Sequence, residues 1–112
     1  MNTSYPRPLS QRERSVPEAL LSVDFPDVER LRLQAQSVRV VSRCECGCPT
    51  IHFSDYQLPN RLVVDGETSL EVGQSVLLFV TDEGLDSLES GWMTDSPPTE
   101  FPKVEDLTIR PR

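Results

Sequence analysis

The chain has 112 residues, of which 37% are apolar and 26% charged, with a net charge of −7. That is enough for one hydrophobic core and too little for two, and its ten prolines assign much of it to turns and extended segments. The longest apolar run, Val76 to Val80, falls far short of the roughly 20 residues a membrane helix needs, and Met1 to Pro6 lacks the apolar core of a secretory signal, so a cytoplasmic protein without membrane contact is expected.

Residues 1–14 are polar, carry two prolines and show no hydrophobic period, which reads as a disordered or loosely docked arm ahead of a single domain over 15–112. Ser15-Val16-Pro17-Glu18 has the form of a helix start, with Ser15 as cap, Pro17 in the first turn and Glu18 three residues on. Leu20 and Leu21 give this short helix its apolar side before a stop near Asp24. Pro26 opens a second helix behind Asp24, in which Val28, Leu31 and Ala35 share a face at spacings of three and four.

From Val38 the period becomes two. Val38, Val40, Ser42 and Cys44 alternate with Arg39, Val41 and Arg43, and after Pro49 the residues Ile51, Phe53 and Asp55 alternate with His52, Ser54 and Tyr56, predicting two strands. Leu62-Val63-Val64 is a third, ending at Asp65-Gly66, a two-residue turn pattern; Thr68 to Val72 fits either a strand or a loop. Ser75 to Thr81 is apolar on both faces, as a central strand is. Asp82-Glu83-Gly84 turns the chain, Leu85 to Trp92 returns as hairpin partner, the prolines of 94–102 wrap the surface, and Asp106 to Arg110 adds an edge strand. Helices first and short-turn strands after predict an α+β domain, two helices packed on one face of a four- to five-stranded, mainly antiparallel sheet.

The residues with most chemistry in the least sequence are Cys44-Glu45-Cys46-Gly47-Cys48-Pro49, followed by His52, the one histidine. Cys44, Cys46, Cys48 and His52 form a legal zinc set, three thiolates and an imidazole. In a regular strand neighbouring cysteines of this spacing stand about 6.6 Å apart at Cα, so a metal site requires the chain to curl, which Gly47 and Pro49 allow. Zinc is favoured over copper by the imidazole. Two other readings stand beside it: three small apolar side chains in the core, and a strained, easily reduced disulfide. No nucleophile motif, phosphate-binding glycine loop or marked acid–base pair occurs, so a non-catalytic protein is expected.

Charge is unevenly spread. Residues 1–43 carry +2, residues 44–106 carry −11, and residues 107–112 carry +2. Such a body repels phosphates, excluding direct nucleic-acid binding, and suits a basic protein partner; an inhibitor- or immunity-like interaction module follows. Glu67, Glu71 and Glu89 are candidates for that contact. Trp92 joins them, either as an exposed aromatic with Phe101 and Pro97-Pro98 or as a lid on the core.

Three stretches together resemble an uncharacterised family of small bacterial, actinobacterial-type proteins: Cys44 to Pro49, Leu77-Leu78-Phe79-Val80 with Asp82-Glu83-Gly84-Leu85 and Leu88-Glu89, and Pro97 to Pro102. The resemblance spans roughly residues 16–107. It implies a stand-alone bacterial domain and transfers no activity, cofactor or catalytic residue.

Overall fold

The computed structural model describes residues 5–55 and 58–112. Residues 1–4 of the expected arm and Tyr56 of the expected second strand lie outside the described residues. The fold is α+β. Its elements are β1 (Arg7–Pro8), α1 (Gln11–Leu20), α2 (Val28–Ala35), β2 (Arg39–Val40), β3 (Ser42–Arg43), β4 (Ile51–His52), β5 (Arg61–Glu67), β6 (Gln74–Thr81), β7 (Gly84–Trp92) and β8 (Thr108–Pro111). A short 3-10 turn, Val104–Asp106, precedes β8. There are two antiparallel sheets, β1-β2 and β3-β4-β7-β6-β5-β8, so the main sheet has six strands rather than four or five. No helix among the described residues is long and apolar enough to cross a membrane.

The first helix starts five residues before the expected cap. Ser10, not Ser15, is the N-cap: its Oγ accepts from the Glu13 N–H at 3.1 Å while Glu13 accepts from the Ser10 N–H at 2.9 Å. Both serines begin a Ser-x-x-Glu pattern, and tertiary contacts choose between them. Arg7 grips the Glu13 carboxylate with both guanidinium nitrogens, at 2.7 and 3.0 Å, Leu9 is buried, and Arg7 pairs with Val40 across the β1-β2 ribbon. Within the expected arm, Arg7–Pro8 form β1 and Gln11 to Arg14 open α1. Pro17 sits inside the helix, not in its first turn. Asp27, not Asp24, precedes α2, in the left-handed region at φ 75° and with its carboxylate on Arg30. Arg32 ties the two helices by donating to the Leu21 carbonyl at 2.7 Å.

One buried cluster joins Val16, Leu20 and Leu31 of the helices to Val64, Val76, Leu78 and Leu88 of the sheet, closed below by Phe101. Those sheet residues are in register: Val64 opposite Leu78, and Leu78 opposite Leu88. Strand alternation leaves Asp65, Leu77, Phe79 and Ser87 on the opposite parity.

The Asp65-Gly66 turn does not exist. Both residues lie inside β5, Asp65 opposite Leu77 and Gly66 opposite Val76. Asp65 is buried and held by an ion pair with Arg112. The reversal comes later, at Leu70–Val72, and resolves the ambiguous stretch as a turn. The two strands expected around 38–44 and 51–56 shrink to two-residue pieces, β2 leaving for the second sheet.

The register predicts unequal costs for adjacent leucines. Leu78→Ala removes a fully buried side chain and should cost about 2–5 kcal/mol, whereas Leu77→Ala, half-buried on the opposite parity, should cost clearly less. Urea denaturation of both variants checks this; equal losses would contradict the observed alternation.

Candidate functional site

Between β3 and β4 the chain leaves the ladder and curls. Cys44 donates its N–H to the Thr50 carbonyl at 3.1 Å, closing a loop over Cys44–Thr50. Glu45 to Cys48 form the bend, and Gly47 takes φ 98°, a conformation that disfavours any residue with a side chain. Arg43 ties the base by donating to the Cys48 carbonyl at 3.2 Å.

The curl gathers the three sulfurs, all within 4.8 Å of one another, with Cys44 Sγ and Cys46 Sγ 3.0 Å apart. Tetrahedral zinc at the usual Zn–S distance of 2.3 Å sets its sulfurs about 3.8 Å apart, so the loop stands within small adjustments of a three-thiolate cradle. The core reading fails for the group as a whole: Cys48 is buried, but Cys44 is half-buried and Cys46 exposed. All three are free thiols.

Thr50 is the residue that sequence reasoning missed. Its Oγ1 accepts from the Ser90 N–H of β7 at 2.9 Å. The same oxygen accepts from the Cys48 thiol at 3.4 Å, and once that thiol ionises the hydroxyl can turn its proton to the sulfur. Burial of Cys48 opposes its thiolate, yet the contacts with Thr50 and the Cys46 thiol outweigh burial and lower its pKa to about 7. Cys46 moves the other way, raised to about 11, chiefly by its hydrogen bond with Cys44. One thiolate is thus prepared near neutral pH.

His52 is not part of this group. The sulfur cluster comprises the three cysteines, and His52 instead lines a separate hollow with Ser42, Ser54, Asp55, Asn60 and Asp86. The cause is strand alternation: Ile51 is fully buried opposite Leu88, so His52, opposite Ser87, turns to the other side. The carboxylate of Asp86 is occupied, accepting from Ser54 Oγ and Asn60 Nδ2, each at 2.9 Å.

The acidic candidates only partly converge. Glu67 and Trp92 line one small hollow at the end of the sheet, and Glu71 lies in the adjoining turn, exposed between Leu70 and Val72. Glu67 is bonded to Arg110 at 2.7 Å. Glu89 stands apart, opposite Leu77 and bonded to Ser87. Phe101, not Trp92, closes the core; Trp92 is half-buried.

No protein-family model matches the chain, and no match was found among curated proteins or solved structures.

In the metal-free protein, absorbance at 240 nm should rise in a first step of one thiolate per chain centred near pH 7, followed by a step near pH 11. Because the Cys48 pKa is depressed, its charge is present above that pH and lost as pH falls through about 7. Cys48→Ser should delete the first step and Thr50→Val should move it upward. A single step near the ordinary thiol value would contradict the described loop.

Proposed function

We propose that this is a small metal-binding protein that holds a soft ion on Cys44, Cys46 and Cys48 in an exposed, exchangeable site. The observation that carries the reading is the gathering of three sulfurs within 4.8 Å on a surface loop. A lone Cys pair is ambiguous, but three convergent thiols match what zinc or monovalent copper requires of its ligands. The two helices then serve as a cover over one face of the sheet, which their shared core cluster supports, leaving the thiol loop outside the core.

Structural zinc sites are closed by four protein ligands, while sites that react or exchange keep a position open. Three ligands and an exposed Cys46 support the second kind of site. Without His52 the imidazole argument for zinc over copper lapses, and the thiolates alone accept either ion. The low pKa of Cys48 favours uptake at neutral pH, since one proton fewer must leave on binding. The fourth position is open to solvent, to a small ligand or to a donor from the protein that receives the ion.

Titration of the reduced full chain with zinc, followed by calorimetry, tests the reading. One ion per chain is expected, and at a free concentration 100 times the dissociation constant the melting temperature should rise by on the order of 10 °C. A chelator should return it to the starting value. Cys44→Ser, Cys46→Ser and Cys48→Ser combined should leave the far-ultraviolet spectrum and the metal-free melting point near wild type and abolish the shift. His52→Ala should bind as wild type does. Binding that survives the triple substitution, or none at all with zinc and with monovalent copper, would overturn the proposal.

A further inference from the structure

The main hairpin opens at the end opposite its Asp82-Glu83-Gly84 turn, where Gln74 of β6 stands across from Trp92 of β7. Here the surface changes character. Leu70 is 85% exposed and Met93 79%, with Val72 also exposed, half of the six large apolar side chains that the described residues leave to solvent. Exposed apolar residues are unremarkable singly. Grouped around a concavity they mark a contact surface. Leu70, Met93 and Trp92 line a hollow of about 100 Å³, whose rim is stiffened by Met93 donating to the Gly73 carbonyl at 2.8 Å and Gly73 to the Ser69 carbonyl at 2.9 Å.

Two further observations define what fits. Gln74 lines the same hollow, and its Oε1 is buried with no hydrogen-bond donor among the described residues. A buried amide oxygen without a donor is costly, and an incoming N–H relieves it. Acidic residues surround the hollow: Glu67 lines it and is bonded to Arg110, Glu71 is exposed in the adjoining turn next to Leu70, and Asp95 follows Met93 by two residues. We propose that this end of the hairpin docks a basic peptide segment of a protein partner, one that inserts a bulky apolar side chain against Leu70, Trp92 and Met93, donates an N–H to Gln74 Oε1, and sets Lys or Arg beside Glu71. The surface is built from residues other than the thiol loop and stands or falls independently of the metal reading.

The test is selection of a random dodecapeptide library on the immobilised full chain, followed by titration of the enriched peptides. Trp92, the single tryptophan, reports binding directly. Enriched peptides should combine Lys or Arg with bulky apolar residues, shift Trp92 emission to the blue, and bind more weakly as salt rises. Leu70→Ser with Met93→Ser should weaken them at least tenfold, as should Glu71→Lys; these side chains are exposed, so the fold remains. Gln74→Leu should melt no lower than wild type and still bind more weakly, a separation that a structural role would not produce. The triple cysteine-to-serine variant should bind as wild type does. Enrichment of acidic or uncharged peptides, peptides indifferent to the Leu70 and Met93 substitutions, or no enrichment would overturn the proposal. So would a dimer of the chain that those substitutions dissolve, since a second copy would then be the occupant.

Discussion

The pairing of β6 with β7 is the constraint on which the remaining structure depends. It sets Leu78 against Leu88 within the core and Gln74 against Trp92 at the open end. The free edge of β7 then takes β4, with Ile51 opposite Leu88 and His52 opposite Ser87. That placement brings the Thr50 hydroxyl to the Ser90 N–H, and Thr50 in turn fixes both ends of the cysteine loop, through its carbonyl to Cys44 and its hydroxyl to Cys48. A slip of one residue would invert every side chain of the strand. It would expose Leu88 and carry the Ser90 N–H away from Thr50, so the thiol cradle and the apolar hollow are both consequences of one register.

The opposite parity of the sheet has its own fastening. Asp65 is buried in β5, and its partners are Arg110 of the last strand and Arg112 just after it, 45 or more residues later in the chain. A buried carboxylate is tolerated only when paired, so the acidic residue holds β8 at the edge and the edge strand neutralises the acid. Arg110 extends the same strand to Glu67, so that among the described residues Glu71 and Asp95 carry the negative charge at this sheet end that no ion pair takes up. The charge of −11 over residues 44–106 is therefore not a uniform field; part of it is spent on internal pairs.

What the sequence made legible was local. The apolar run of β6, the Asp82-Glu83-Gly84 turn and the return strand follow from period and turn chemistry, and Gly47 with Pro49 left room for the curl that gathers the thiols. What it concealed was decided across the chain. Ser10 and Ser15 offer equivalent capping patterns, and the choice rests on Arg7 and Leu9 docking. Asp65-Gly66 has a turn's composition, but its place in β5, opposite Leu77 and Val76, is set by pairing with β6. Thr50 carries no motif; it matters only because Ser90 reaches it from a strand 40 residues away. His52 was grouped with the cysteines by closeness in sequence, although the period of two that predicts its strand also turns it away from the side of Ile51, into the hollow it shares with Ser54 and Asp86.

The number of sulfurs that one bound ion would see defines the three-cysteine site most directly. X-ray absorption at the zinc edge of the loaded full chain measures it directly. Three sulfurs at about 2.3 Å with one lighter neighbour, falling to two on Cys46→Ser, is the predicted result. A shell of two sulfurs or fewer in the wild type, or an imidazole scattering pattern lost on His52→Ala, would contradict the three-cysteine site.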